Sequence, residues 1–253
     1  MVTTEQYAAS IVEKYQVIPG VGSPPHRAAD ALMPALKEWA NQYLLGITLS
    51  GAYAHNTAIS LSSSVDVLVA LSPIPDMEMK AVFWNLFEFL TNHNFKAHTR
   101  QVSMQVESKG LKVDVIPAYR DAAGSGCLLH DKRSEAAVRT DPARHVQLVA
   151  SSGRTQEICA LKIWRECHEL NFPSLYLEVT VLKALEGERF GQLSENVHAV
   201  LRYMASRFER TLVRDPANGD NIVSSDLSVE EKKAVAKAAQ VALYEDDWKK
   251  IVW

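Results

Sequence analysis

The sequence predicts an α+β fold, with strands and helices mixed in the first half and helices alone in the second. In the first half, short apolar runs typical of strands alternate with amphipathic helical patterns. In the second half, apolar residues recur almost throughout at the three- and four-residue steps of a helix. A loop of small residues at 121–126 separates the two patterns. We therefore predict two domains, residues 1–125 and residues 126–253, each of ordinary small-domain size.

The elements of the first half follow from the spacing of apolar residues and from turn signals. In chain order they are a helix at 24–43, strands at 46–50 and 65–71, a helix at 77–92, and strands at 96–107 and 111–116. The first helix follows a Gly-Ser-Pro-Pro start, and a Ser-Pro-Ile-Pro-Asp turn precedes the second. The Ser-Lys-Gly sequence at 108–110 joins the last two strands as a hairpin.

The second half is predicted to contain four helices. Their ranges are 155–170, 174–186, 193–210 and 228–244. The last of them begins with Ser228, followed three residues later by Glu231, which is the capping-box pattern of a helix start.

Composition and charge exclude several classes of protein. Of 253 residues, 47% are hydrophobic and 23% are charged, as in ordinary globular proteins. The 27 basic and 30 acidic residues give a net charge of −3, which disfavours a broad nucleic-acid-binding surface. No apolar run approaches the ~18 residues of a membrane span, and no apolar segment follows the first residues. Three cysteines cannot all pair, so we expect a reduced, cytoplasmic protein without membrane contact.

Two acidic residues interrupt strands that are otherwise apolar. Asp66 lies between valines in the strand at 65–71, and Asp114 lies between valines in the strand at 111–116. Burying a carboxylate in such a strand is costly unless a cation or a metal ion compensates its charge. Because both acids occupy the same kind of position, we predict that they converge on one hard cation.

Around these acids the sequence resembles the nucleotidyltransferase superfamily that includes DNA polymerase β. That family has a Gly-Ser turn, a Thr, an Asp-x-Asp pair on a strand and a third Asp on a later strand. The matching positions here are Gly51-Ala52, Thr57, Ser64-Val65-Asp66 and Asp114. The second half resembles the helical domain of oligoadenylate synthetases, cyclic GMP-AMP synthase and their bacterial relatives. The matching segments are Leu-Lys-Ile-Trp at 161–164, Phe-Pro-Ser-Leu-Tyr-Leu-Glu at 172–178 and Asp-Pro-Ala-Asn at 215–218.

The resemblance implies a polymerase β-like core with a mixed sheet, followed by a helical domain like that of oligoadenylate synthetases and poly(A) polymerases. It implies nucleoside triphosphates as partners and Mg²⁺ or Mn²⁺ as cofactor, with Asp66 and Asp114 as metal ligands. Ser64 occupies the remaining catalytic position, so the resemblance implies Ser64, Asp66 and Asp114 as the three catalytic residues. The nucleotide-binding residues implied by position are Ser50, Gly51, Ala52, Thr57, Lys162, Ser174 and Tyr176. In such a turn the backbone N–H groups surround the triphosphate, while a lysine and a hydroxyl also bind it.

The sequence departs from the family pattern at three positions. Ser64 stands where the first metal-binding Asp belongs, Ala52 replaces Ser, and Asn56 replaces Gly. A neutral hydroxyl is a poor substitute for a carboxylate that two divalent ions share. The resemblance therefore implies a nucleotidyltransferase, whereas Ser64 argues against full activity of this chain.

Three of the implied binding residues have plain structural alternatives. Lys162 fits a solvated helix lysine, and Ser174 fits an N-cap that follows a proline. Tyr176 fits a core aromatic better than a platform on which a base stacks.

Three functions follow from the resemblance and its departures. The first is synthesis of oligonucleotide or cyclic nucleotide second messengers, in defence signalling, from nucleoside triphosphates. The second is a catalytically inactive module that binds a nucleotide or regulates a partner protein. The third is nucleotide addition to a short RNA, as in tailing and CCA-adding enzymes, which the acidic charge balance disfavours.

Overall fold

The computed structural model describes residues 2–18, 20–62, 64–121, 124 and 126–253. The helices are α1 Thr4–Tyr15, α2 Pro24–Ala40, α3 Gly51–Ala54, α4 Met79–Asn92, α5 Pro142–Ser152, α6 Thr155–Cys167, α7 Ser174–Ala184, α8 Leu193–Arg207 and α9 Val229–Leu243. The strands are β1 Leu44–Leu49, β2 Ser64–Leu71, β3 His98–Thr99, β4 Met104–Ser108, β5 Leu111–Arg120, β6 Cys127–Asp131 and β7 Ala136–Thr140. The predicted α+β class is confirmed. Among the described residues, no helix combines the length and the apolar character that crossing a bilayer requires.

The seven strands form one mixed sheet. Its main path runs in the order β1-β2-β5-β4-β3, while β6 pairs with the end of β5 and β7 pairs with β6. The central strands β2 and β5 are parallel, and every other pairing is antiparallel. The β4–β5 hairpin turns at Lys109 and Gly110, whose φ values of 51° and 76° confirm the predicted turn.

The chain divides into two compact units, which are not separated by a single cut. The sheet unit comprises Ile18–Asn56 and Ser63–Val146, and the helical unit comprises Met1–Val17, Thr57–Ser62 and Gln147–Trp253. This division differs from the predicted boundary after residue 125 for two physical reasons. Strands β6 and β7 extend the sheet beyond that residue. Helix α1 buries its apolar face in the core of the helical unit.

In the sheet unit, the alternation of side chains along β2 separates a core face from a second face. Val65, Val67, Val69 and Leu71 are fully buried, and helices α2 and α4 pack on the sheet. The intervening residues, Asp66 among them, lie on the opposite face because successive side chains point to opposite sides of a strand. Asp66 is only half-buried there.

The helical unit has a core built around large aromatic residues, among them Trp164 and Phe208. The carboxylate of Glu5 accepts hydrogen bonds from the backbone N–H groups of Leu193 and Ser194, at 2.6 and 2.8 Å, at the start of α8. Burial alone would raise the pKa of Glu5, but its hydrogen bonds to Ser194 and Leu193 lower it below the ordinary value. The negative charge therefore stabilises the positive end of the helix dipole.

Several elements were not predicted from the sequence. Helices α1, α3 and α5 and strands β6 and β7 are absent from the prediction, and the predicted strand at 96–107 is two strands. The break lies at 100–103, where the backbone N–H of Arg100 donates to the carbonyl of Ser103 at 2.8 Å. The four predicted helices of the second half are confirmed, each ending within three residues of its prediction. Ser228 and Glu231 form the predicted capping box.

Candidate functional site

The parallel pairing of β2 with β5 brings the two predicted acids together. In its register Asp66 lies opposite Asp114, and Ser64 lies opposite Lys112. These four residues share one face of the sheet, because positions two apart along a strand point to the same side. Asp114 is 8% exposed, so its carboxylate lies in a largely dehydrated position.

The turn after β1 lies directly against Asp66. The backbone N–H of Ser50 donates to the carbonyl of Asp66 at 2.8 Å. Gly51 has φ +55°, and a Cβ added to it would lie 1.9 Å from Oδ2 of Asp66. Only glycine both adopts this backbone conformation easily and leaves room for the carboxylate. Ala52, the next residue of the turn, is half-buried and offers no side-chain hydroxyl.

Polar side chains from β4 and from the turn before it hold Asp114. The hydroxyl of Ser103 and the amide of Gln105 each donate to Oδ1 of Asp114 at 3.3 Å, and Gln105 also donates to Oδ2 at 3.4 Å. The guanidinium of Arg100 donates to the amide oxygen of Gln105 at 2.9 Å. Donors of this kind offset the cost of burying a carboxylate and fix the direction in which it points.

The negative charge of Asp66 acts on the side chain of Tyr53 in α3. Burial raises the pKa of the buried Tyr53 phenol, and the nearby Asp66 carboxylate raises it further. His55, which follows α3, is also buried and meets His145 edge-on, with ring centroids 6.3 Å apart. The turn therefore packs against the sheet unit through its aromatic side chains.

A cavity of about 210 Å³ adjoins this turn within the sheet unit. Its lining includes Ser50, Leu68 and Arg120, together with Cys127 of β6 and Pro142 of α5. Leu68 lies two residues after Asp66 on β2, so the cavity opens on the face that carries the acids. Its walls are mainly apolar, and among the residues that the structure describes Arg120 is the one charged residue that lines it.

The acids fit one divalent ion. Asp66 and Asp114 are hard oxygen ligands on adjacent strands, and Mg²⁺ is commonly held by one or two carboxylates together with substrate phosphates. A two-ion arrangement does not fit, because position 64 is a neutral serine. Within the described part of the chain, no group of three or more His, Cys, Asp or Glu side chains could hold a metal ion.

Thr57 and Lys162 lie in the helical unit, where they form a buried cluster with Glu178. The ammonium of Lys162 lies 2.6 Å from Oε1 of Glu178 and donates to the hydroxyl of Thr57 at 2.8 Å. Thr57 in turn donates to Oε1 of Glu178 at 2.9 Å. The side chains of Lys162 and Glu178 are 1% and 2% exposed. Lys162 is therefore not a solvated lysine in this structure, and its phosphate contact stays a prediction.

Ser174 and Tyr176 belong to α7 in the same unit. Ser174 is the first residue of α7 rather than its N-cap, and its hydroxyl accepts a hydrogen bond from Arg165 at 3.3 Å. The ring of Tyr176 is fully buried and stacks on Phe208 with centroids 4.7 Å apart. Burial raises the pKa of Tyr176 to about 12. Tyr176 is therefore a core aromatic here and presents no face on which a base could stack.

Sequence reasoning missed the residues that surround the predicted ones. Gln105 and Lys112 lie on strands with ordinary polar alternation, and Ser103 lies in the turn before β4, so only the strand register brings them to the acids. Glu178 had a usable signal, since an acid in an apolar helical run needs a cation, and Lys162 interrupts the preceding helix in the same way.

No family model matches the sequence, and no curated protein sequence is significantly similar to it. Solved structures nevertheless match the whole chain. Its fold is that of the polymerase β-like nucleotidyltransferases, as the sequence resemblance predicts.

Two of the similar structures are bacterial CD-NTases. CdnC of E. coli MS115-1 with ATP is 19% identical over 99% of this chain and 98% of its own, with a TM-score of 0.76. CdnG of Bradyrhizobium diazoefficiens in complex with GTP is 12% identical over 94% of this chain and 88% of its own, with a TM-score of 0.77. Cid1 in complex with the UTP analogue UMPNPP is 12% identical over 98% of this chain and 96% of its own, with a TM-score of 0.67.

Proposed function

We propose that this chain binds nucleoside triphosphates with Mg²⁺ or Mn²⁺ and joins them into oligonucleotide or cyclic nucleotide products that act as second messengers in defence signalling. The observation that carries the proposal is the side-by-side placement of Asp66 and Asp114 against the Gly51 turn. The similar structures of CdnC with ATP and CdnG with GTP support nucleoside triphosphates as the substrate class.

In the proposed mechanism Asp66 and Asp114 would hold one divalent ion, which when bound would neutralise phosphate charge. The hydrogen bonds from Ser103 and Gln105 keep the Asp114 carboxylate oriented before the ion arrives. The missing Cβ of Gly51 leaves room for the Asp66 carboxylate, whose Oδ2 lies 1.9 Å from the place where that Cβ would be. Ser64 contributes a neutral hydroxyl, so we expect turnover well below that of a site with three carboxylates.

The experiment compares the chain with S64D, D66N and S64D/D66N. Each protein is incubated with all four labelled nucleoside triphosphates and Mg²⁺ or Mn²⁺, while products and released pyrophosphate are measured. We expect S64D to accelerate turnover by at least about tenfold, which corresponds to about 1.4 kcal/mol of transition-state stabilisation. D66N should abolish turnover in both backgrounds. If neither the chain nor S64D releases pyrophosphate from any mixture, the transferase proposal is wrong.

Ser64 itself favours a second candidate, a catalytically inactive module that binds a nucleotide and regulates a partner. If this candidate is correct, a nucleotide raises the melting temperature of both the chain and S64D, and neither protein turns the nucleotide over. A protein partner is part of this candidate because one of the similar structures is a CdnC:HORMA complex.

A third candidate is nucleotide addition to RNA, which the similarity to Cid1 supports. The net charge of −3 disfavours it, because RNA-binding proteins usually carry a basic stripe. A labelled short RNA added to the same reactions separates this candidate from the first. Extension of the RNA would favour tailing, whereas products made from triphosphates alone would favour second-messenger synthesis.

A further inference from the structure

The register of the central strands places a lysine next to the serine at position 64. Ser64 lies opposite Lys112 on the parallel strand β5, one register step of two residues before the Asp66–Asp114 pair. All four side chains point to the same face of the sheet. That face therefore carries two carboxylates, a hydroxyl and an ammonium within two adjacent strands.

Lys112 is available to bind a ligand. It is exposed, and the described part of the chain contributes no hydrogen bond or ion pair to its ammonium. Glu107 lies directly opposite on the antiparallel strand β4 and is exposed as well. A cross-strand ion pair between two exposed side chains would contribute little, so it would not hold the lysine against a more highly charged partner.

An ammonium near two carboxylates changes what this face attracts. Asp66 and Asp114 alone would favour divalent cations, whereas Lys112 lowers the net negative charge and makes a second divalent ion less favourable. A lysine is a flexible point charge that binds phosphate oxygens well. Ser64 beside it supplies a hydroxyl that donates to the same oxygens.

We propose that Lys112, assisted by the Ser64 hydroxyl, binds the phosphate chain of the nucleoside triphosphate directly and takes over charge that a second divalent ion would supply. The inference rests on the proposed function, because it concerns the same site. Its consequence is that triphosphate binding depends on Lys112 as well as on the one divalent ion that Asp66 and Asp114 would hold. Glu107 opposes this binding, because its carboxylate repels the phosphates that the lysine attracts.

The test measures ATP affinity by isothermal titration calorimetry, once with excess Mg²⁺ and once with EDTA. The chain is compared with K112M, K112R, E107Q and the control K109M, a lysine in the adjacent hairpin turn. We expect ATP to bind more weakly in EDTA than in Mg²⁺, because Asp66 and Asp114 repel the phosphates when no cation lies between them. K112M should weaken binding in Mg²⁺ by about tenfold or more, and K112R should restore most of it. E107Q should strengthen binding, and K109M should leave it unchanged.

The outcomes separate this proposal from the proposed function. ATP binding in Mg²⁺ that is the same in K112M as in the unaltered chain would overturn the role of Lys112 and leave the nucleotide site intact. Equal losses in K112M and K109M would overturn it too, because they would indicate general surface charge. If the chain binds no ATP in either buffer, the proposed function and this inference both fail. Melting curves of each variant confirm that the exposed substitutions leave the fold intact.

Discussion

At the scale of single residues, Gly51 and Asp66 are tied together by space and by backbone conformation. The carboxylate of Asp66 occupies the volume in which any side chain at position 51 would begin. The same turn is anchored through the Ser50–Asp66 backbone hydrogen bond. A close approach of backbone to carboxylate thus sets both the shape of the turn and the direction of the acid.

We predict that G51A is destabilised by about 1–2 kcal/mol and loses ATP affinity. Alanine is strained at φ +55°, and its Cβ, 1.9 Å from Oδ2 in the present geometry, would push the Asp66 carboxylate away. Urea denaturation measures the free energy of unfolding, and calorimetry measures ATP binding. The matched control is G46A in β1, where an added Cβ meets nothing within 4 Å. If G51A and G46A behave alike, the close contact has no energetic weight.

At the scale of elements, α6 and α7 are joined by the buried ion pair of Lys162 with Glu178. Both charges are removed from water, and Thr57 satisfies one further hydrogen bond of each. Cys159 lies one turn before Lys162 in α6, and burial raises the pKa of its thiol to about 12. The surroundings therefore disfavour an unpaired charge strongly.

We predict that K162M destabilises the protein by about 3–5 kcal/mol, because it leaves the Glu178 carboxylate buried without its cation. The double variant K162M/E178L should recover most of that loss, since well-packed apolar residues often replace a buried pair at little cost. Urea denaturation of the single and double variants gives the coupling free energy. K183M, at an exposed lysine of α7, is the control and should change stability by less than about 0.5 kcal/mol.

This prediction also separates the two roles proposed for Lys162. A phosphate-binding lysine would lose ATP affinity in K162M while the free energy of unfolding stayed nearly unchanged. That result would contradict the buried arrangement. A large loss of stability that the double variant reverses would agree with it.

How far the sequence predicts these elements depends on how strong their patterns are. The helices α6 to α9 have long periodic faces, and β2 and β5 are almost continuous runs of valine and other apolar residues. Strands β6 and β7 are five residues each, and they mix alanine, histidine and charged residues, so pairing with β5 decides their structure. Helix α1 was predictable, because Thr3 and Gln6 form its capping box.

The candidate site was predictable only in part, for the same reason. Asp66 and Asp114 are anomalies that any reader of the strands can find. The neighbours Gln105 and Lys112 are ordinary polar residues whose importance comes from pairing between strands distant in sequence. Patterns along the chain carry no information about that register. The burial of Lys162 depends likewise on packing between segments that are far apart in the chain.

At the scale of the whole molecule, each of the two compact units is built from segments that are not contiguous in the chain. The helical unit takes α1 from the beginning of the chain and residues 57–62 from between two strands of the sheet unit. Ala8, Ile11 and Val12 of α1, together with Ile59, are buried in the core of the helical unit. The C-terminal segment is bound to α1, since the Tyr7 hydroxyl donates to the carbonyl of Val252 at 3.1 Å.

We predict that residues 126–253 do not fold alone, whereas residues 1–17, 57–62 and 147–253, joined by flexible Gly-Ser linkers, unfold cooperatively. The first fragment lacks the apolar face of α1, and each large side chain missing from a core costs about 2–5 kcal/mol. It also carries β6 and β7 without the β5 strand on which they pair. Circular dichroism during heating measures cooperativity, and I11A in the joined fragment should lower its melting temperature. A sharp transition for residues 126–253 would contradict the division into these two units and would support a single boundary near residue 125.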